Sequence, residues 1–158
     1  MRTFCLVLAI LSILLATTGV ATAQRGYYIA YPNGDEEVPR VTTQASGMCV
    51  FQLTPQGLNY WVFVNNLENI MQAHIHIAPA GQNGAVVLWL YPAAPPPVQL
   101  PGVTSRFIGV GTGTAANLVG PLAGRPLTAL ITAIEAGNAY CNIHTMRFGG
   151  GEIRGQIR

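Results

Sequence analysis

The sequence contains no lysine and few charged residues of any kind. Charged residues make up 9% of the 158 residues, every basic side chain other than histidine is arginine, and the formal net charge is +2. So small a charge provides no extended basic surface of the kind that binds nucleic acid or an anionic membrane. It also leaves little electrostatic repulsion between copies of the chain, so self-association is a reasonable expectation.

Motifs of several enzyme classes are also missing. The glycines at 109–113 lack the spacing and context of a dinucleotide-binding loop, and neither Ser46 nor Ser105 lies in a nucleophile elbow. Cys141 and His144 would point to opposite faces of a strand, so they do not form a thiol–imidazole pair. The sequence therefore predicts a protein that is not an enzyme.

Long apolar runs are confined to the N-terminus. Residues 4–16 are almost wholly apolar, but the run is shorter than the roughly 20 residues that span a bilayer. Arg2 precedes it and the small-x-small triplet 21–23 follows it, as in a secretory signal peptide. We predict a signal peptide at 1–23 and a secreted or periplasmic mature chain at 24–158 without a transmembrane segment. A retained signal anchor is the alternative.

Two of the three cysteines remain after the predicted cleavage. Cys49 shares a strand face with Phe51, and Cys141 shares a face with Ile143, so both thiols are expected to point into an apolar interior. An even pair in an oxidising compartment favours a disulfide between Cys49 and Cys141 over two buried free thiols. In the chain-entropy account, closing so long a loop stabilises the fold by several kcal/mol.

The remaining chain consists mainly of short apolar segments separated by turn sequences rich in glycine, proline and asparagine. This pattern predicts an all-β fold, an antiparallel β-sandwich of seven or eight strands with one short helix. The predicted strands are 27–31, 45–53, 58–64, 72–78, 85–91, 103–111, 139–146 and 152–157, and the predicted helix is 126–136. The proline-rich segment 93–97 is predicted to be a surface connector.

The three histidines lie in two similar segments. Residues two apart on a strand share a face, so His74 and His76 are expected side by side, and His144 beside Asn142 and Tyr140. If the two strands are neighbours, the three imidazoles converge on one point. Neutral imidazole is a good ligand for Zn(II) and Cu(II), and three of them leave a fourth coordination position open.

A structural role for the histidines is the alternative hypothesis. Here they hydrogen-bond to Glu152, Asn142 and the backbone and thereby hold two hairpins together. In a metal site, the side chains of Asn142, Glu152 or Thr145 would instead fix the imidazole tautomers. Three histidines are too few ligands for a dinuclear copper/zinc dismutase site.

A polar cluster of Asn142, Glu152 and Arg154 is expected beside His144. We predict that Arg154 forms an ion pair with an acid such as Glu37 or Glu152. The alternative is a charge pattern on an edge strand that discourages pairing between sheets.

Several motifs resemble those of the CHRD domain, the module repeated in chordin and found singly in many bacterial secreted proteins. They are Glu37-Val38-Pro39, Ala73-His74-Ile75-His76 with Gly81, Asn83 and Gly84, and Tyr140-x-Asn142-x-His144-Thr145 followed by Gly151-Glu152-Ile153-Arg154-Gly155-Gln156. The resemblance covers about residues 26 to 158. The chain departs from the family pattern at Cys141, commonly aliphatic, and at Gly149, commonly proline.

The resemblance implies an immunoglobulin-like β-sandwich with distant similarity to copper/zinc superoxide dismutase. It also implies a non-catalytic binding or extracellular matrix module, whose partner is an extracellular protein, a matrix ligand or another copy of the chain. The competing hypothesis is a metal-binding or redox protein that holds Cu or Zn through His74, His76 and His144.

Overall fold

Seven strands and one helix account for most of residues 26–158, which are the residues that the computed structural model describes. The strands are β1 (Tyr27–Ala30), β2 (Ser46–Thr54), β3 (Gly57–Ile77), β4 (Ala85–Tyr91), β5 (Leu100–Gly113), β6 (Tyr140–Thr145) and β7 (Ile153–Gln156). The helix α1 is Leu127–Glu135, and three single turns of 3-10 helix lie in the loops. The predicted signal peptide falls outside the described residues.

All strand pairs are antiparallel and the sheet almost closes on itself. The strand order is β1-β2-β3-β6-β7, and β4 and β5 also pair with β3. The two ends of this path meet, because Ile29 and Arg158 exchange backbone hydrogen bonds of 2.9 and 3.0 Å, as do Asn33 and Arg154. The predicted all-β class with one helix is confirmed.

Strand β3 belongs to both layers of the fold. Its first half pairs with β2 and β5, and its second half pairs with β6 and β4. The prediction of two separate strands, 58–64 and 72–78, was wrong, because β3 runs through the polar segment between them. Asn66 and Asn69 bend it there with φ angles of 53° and 52° beside two irregularities in the ladder with β5. Asparagine tolerates this left-handed conformation better than most residues.

The core lies between the layers, and a disulfide crosses it. Cys49 on β2 and Cys141 on β6 are fully buried and bonded to each other, which confirms the predicted bridge. Helix α1 covers one end with Leu130, Ile131 and Ile134. Because Cys141 points inward, the alternate residues of β6 that carry Asn142 and His144 point to the opposite face.

Candidate metal centre

The second half of β3 and β6 bring the three histidines together. His74 lies opposite Asn142 in the strand register, His76 opposite Tyr140, and Gln72 opposite His144. One ring nitrogen from each histidine lies within 4.8 Å of the other two. The closest contact joins His74 Nδ1 and His144 Nε2 at 3.3 Å. The convergence expected from strand parity is therefore present in the fold.

Two backbone carbonyls set the orientation of two of the rings. His76 Nδ1 lies 2.9 Å from the Gly84 carbonyl oxygen, and His144 Nδ1 lies 3.0 Å from that of Gly149. A carbonyl oxygen only accepts, so each Nδ1 carries the proton and each Nε2 is unprotonated, with that of His144 in contact with His74 Nδ1. Both carbonyls belong to the glycine-rich turns that follow the histidine strands.

The side chains expected to support the histidines have other partners. Asn142 Nδ2 donates to Glu37 Oε1 at 2.5 Å, and the Glu152 carboxylate accepts hydrogen bonds of 2.7 Å from Thr43 and Thr145. Within residues 26–158, none of these side chains is hydrogen-bonded to an imidazole. Turn backbone therefore takes the role that we assigned to them.

Burial keeps the cluster neutral. It lowers the pKa of His74 to about 3, with further lowering by the neighbouring His144 and His76. It lowers the pKa of His76 to about 4, against the opposing hydrogen bond to Gly84, and it lowers that of His144 as well. Neutral imidazole is the form that binds metal, so the rings need lose no proton at neutral pH.

Two nitrogen atoms of the cluster have no partner. His74 Nε2 and His76 Nε2 are buried and make no hydrogen bond. A buried polar atom left unsatisfied costs about 1–3 kcal/mol. An ion coordinated by these two nitrogens would offset that cost.

The separation of the ligand atoms is close to that of a real site. Zinc–nitrogen bonds of about 2.0–2.1 Å place the nitrogens of a tetrahedral site roughly 3.4 Å apart. The pair formed by His74 Nδ1 and His144 Nε2 is at 3.3 Å, and one nitrogen from each ring lies within 4.8 Å of the other two. Binding of one tetrahedral ion would require the widest nitrogen pair to close by up to about 1.4 Å.

Aromatic rings surround the cluster. The ring of Trp89 on β4 meets that of His74 edge to face, with centroids 4.2 Å apart. His76 stacks on Tyr140 at 4.8 Å, and the guanidinium of Arg154 lies 3.5 Å from the centre of the same Tyr140 ring. Because β6 lies between β3 and β7, His76 and Arg154 occupy opposite sides of Tyr140.

Arg154 does not form the predicted ion pair. Within residues 26–158, neither Glu37 nor Glu152 has an oxygen within 4.0 Å of its guanidinium. Instead it donates to the carbonyl of Gln82 at 2.7 Å and to Asn83 Oδ1 at 3.2 Å, both in the loop after β3. The edge-strand alternative also fails, since Arg154 is only 1% exposed.

The sequence indicated Glu37 only as an ion-pair partner of Arg154 and as part of a family motif, whereas the structure places its carboxyl group at the site. It lies in the loop between β1 and β2, and its carboxyl group is buried against Asn142. Burial raises its pKa to about 7, against the hydrogen bond from Asn142 and the attraction of Arg154. The sequence signal was its place in the Glu37-Val38-Pro39 motif.

The CHRD domain family model matches residues 29–157. The chain belongs to the CHRD domain family. No curated protein and no solved structure matches this CHRD chain significantly. The family match includes both hairpins that carry the histidines, and it supports a non-catalytic, extracellular-type domain.

One further observation bears on where this CHRD domain resides. The Cys49–Cys141 disulfide is compatible with an extracellular location, where such bonds persist. None of the helices within residues 26–158 has the length and apolar character needed to cross a membrane.

Proposed function

We propose that this CHRD protein is an exported, non-catalytic protein that binds one Cu or Zn ion through His74, His76 and His144. The observation that carries the proposal is the pair of buried, unpartnered Nε2 atoms beside the third imidazole. The purely structural hypothesis accounts for one hydrogen bond each at His74 and His76 and two at His144, and it leaves both of these Nε2 atoms unsatisfied.

A single-ion site fits the chain better than a dismutase centre. Within residues 26–158, these three histidines are the one group of three or more histidine, cysteine or acidic side chains close enough to share an ion. A dinuclear copper/zinc site needs more ligands than this group supplies. The group therefore supports a binding role rather than catalytic dismutation.

Metal analysis tests the proposal directly. The untagged protein, stripped with a chelator and reconstituted separately with Zn(II) or with copper, is expected to retain about one equivalent of metal by mass spectrometry. The triple His74→Ala, His76→Ala, His144→Ala variant should retain almost none, and Gln56→Ala, exposed in the β2–β3 turn, should retain as much as the wild type. Less than about a tenth of an equivalent in the wild-type protein contradicts metal binding.

A second candidate function is self-association through the outer face of the other layer. There, two rows of mainly apolar residues cross β1, β2, β3 and β5. They are Ile29, Val50, Trp61 and Val110, which cross all four strands, and Met48, Phe63 and Phe107, which cross β2, β3 and β5. Phe107 and Val110 are 54% and 63% exposed, and large exposed apolar surface of this kind marks interaction sites.

Mass measurement across concentration tests this second role. We expect light scattering after size exclusion to show dimers or larger species that dissociate in a Phe107→Ser, Val110→Thr variant. The matched control is Val103→Thr, an exposed valine on the same strand outside the two rows. A strict monomer at millimolar concentration contradicts a self-assembling role.

A further inference from the structure

The histidine cluster offers an ion no negative charge. Its ring hydrogen bonds go to the carbonyls of Gly84 and Gly149 and between His74 and His144. Within residues 26–158, no carboxylate is hydrogen-bonded to any of the three rings. An ion bound here would therefore keep its full positive charge.

A buried cation faces the same site. The Arg154 guanidinium lies on the far side of Tyr140 from His76, and its charge acts on that imidazole. Glu37 attracts Arg154 but makes no ion pair with it, and its pKa of about 7 leaves it half-protonated at neutral pH. Arg154 therefore opposes any cation at the cluster, and it opposes a divalent ion twice as strongly as a monovalent one.

Burial of the site also favours a singly charged ion over a doubly charged one. The three histidines are at most 8% exposed, and the cost of removing an ion from water rises with the square of its charge. A doubly charged ion surrounded by three neutral ligands pays this cost without an anion among its ligands. A singly charged ion pays much less.

The number of ligands also distinguishes the candidate ions. Zn(II) takes four ligands in most protein sites, and an open His₃ site supplies the fourth as water. Here the free Nε2 atoms of His74 and His76 are themselves shielded from solvent, and the cavity at the site is bordered by the third histidine, His144. Cu(I), with a filled d shell and a single charge, is satisfied by two or three ligands.

We propose that the cluster of His74, His76 and His144 is a trigonal site that selects Cu(I) over Zn(II). This inference rests on the proposed metal-binding function and names the ion that the site takes. The three neutral imidazoles, the absence of a carboxylate at the rings and the position of Arg154 carry it.

A direct competition tests the choice of ion. The untagged apo-protein is titrated without oxygen with Cu(I), buffered by a chromophoric Cu(I) chelator, and in parallel with Zn(II). We expect one equivalent of Cu(I) that about a tenfold excess of Zn(II) fails to displace. Displacement of Cu(I), or preferential retention of Zn(II) from an equimolar mixture, overturns the selectivity while leaving metal binding intact. Retention of neither ion overturns the metal-binding function itself.

A charge introduced beside the site tests the reason for the selectivity. Gln72 is half-buried, lies opposite His144 in the register and lines the same 300 Å³ cavity, so Gln72→Glu places an anion near the ion without removing a core contact. We expect Zn(II) affinity to rise relative to Cu(I) by about tenfold, since the divalent ion gains twice the attraction. The control Gln56→Glu, exposed in the β2–β3 turn, should leave the ratio unchanged.

An unchanged ratio of affinities in Gln72→Glu would contradict the inference. If Gln72→Glu leaves the ratio of affinities unchanged while circular dichroism shows it folded, net charge at the site does not set the selectivity and the inference fails. Arg154→Lys, which keeps the charge behind Tyr140, is expected to preserve the preference for Cu(I).

Discussion

At the scale of single residues, Glu37 makes the stability of the protein depend on pH. Its folded-state pKa of about 7 lies above the ordinary value of 4.5, so the folded chain holds the proton more tightly than the unfolded chain. The resulting stabilisation is complete below pH 4.5 and is lost as the pH rises through 7. The full change is about 3 kcal/mol.

Replacement of the carboxyl group by an amide tests this assignment. Glu37→Gln keeps an acceptor for Asn142 but cannot ionise, so we expect it to exceed the wild type in free energy of unfolding at pH 8 by about 3 kcal/mol. The difference should shrink toward pH 4.5. Urea denaturation from pH 5 to 8 measures it, and the histidines titrate alike in both proteins. The exposed Glu68→Gln should show no such difference, and a constant offset between Glu37→Gln and wild type contradicts the assignment.

The hydrogen-bond partners of Arg154 could not be predicted from the sequence. The sequence predicted a polar cluster of Asn142, Glu152 and Arg154, and in the structure Arg154 on β7 lies opposite Asn142 on β6. Its hydrogen-bond partners are main-chain and amide groups of a loop about 70 residues away in sequence. Such partners carry no recognisable side-chain pattern, so an acid was the natural expectation and was wrong.

At the level of elements, the β6–β7 hairpin depends on one glycine. Gly151 has a φ of +126°, and a Cβ added there would lie 2.5 Å from both Asn142 Nδ2 and Glu37 Oε1. We expect Gly151→Ala to lower the free energy of unfolding by about 3 kcal/mol through backbone strain and overpacking.

The neighbouring glycine is the matched control for this prediction. A Cβ at Gly150 meets no atom within 4 Å, so Gly150→Ala should change stability by less than about 0.5 kcal/mol. Denaturant unfolding of both variants measures the difference in their free energies of unfolding. Equal stabilities would show that the close packing around Gly151 relaxes freely.

Period-two alternation predicted the faces of the strands well and their extent less well. It placed His74 and His76 on one face and Ile75 on the other, as observed. It did not predict that β3 continues through Asn66 and Asn69, because a polar segment rich in asparagine is typical of a loop. In the structure both asparagines adopt the left-handed conformation within the strand. The continuity is fixed by pairing with β5, a contact between distant segments.

For the whole molecule, the disulfide is expected to be a major source of stability. It joins β2 to β6 across the core and closes a loop with a sequence separation of 92 residues. The chain-entropy account gives about 4.6 kcal/mol for a loop of this length. The double variant Cys49→Ala, Cys141→Ala should lose about that much, measured by guanidinium unfolding under non-reducing conditions. Reduction of the wild type should reproduce the loss, and a change of less than about 1 kcal/mol would show that the bridge is dispensable.

The continuity of β3 has a consequence for how metal binding can be detected. Its first half carries Trp61 and Phe63 on the apolar face, and its second half carries His74 and His76. A ligand that binds only the folded state slows every amide that exchanges through global unfolding by the same factor. Amide hydrogen exchange in the first half of β3 should therefore report occupancy of the histidine site, although no atom there touches the ion. Exchange rates measured in the first half of β3 would thus report ion binding at the histidines in its second half.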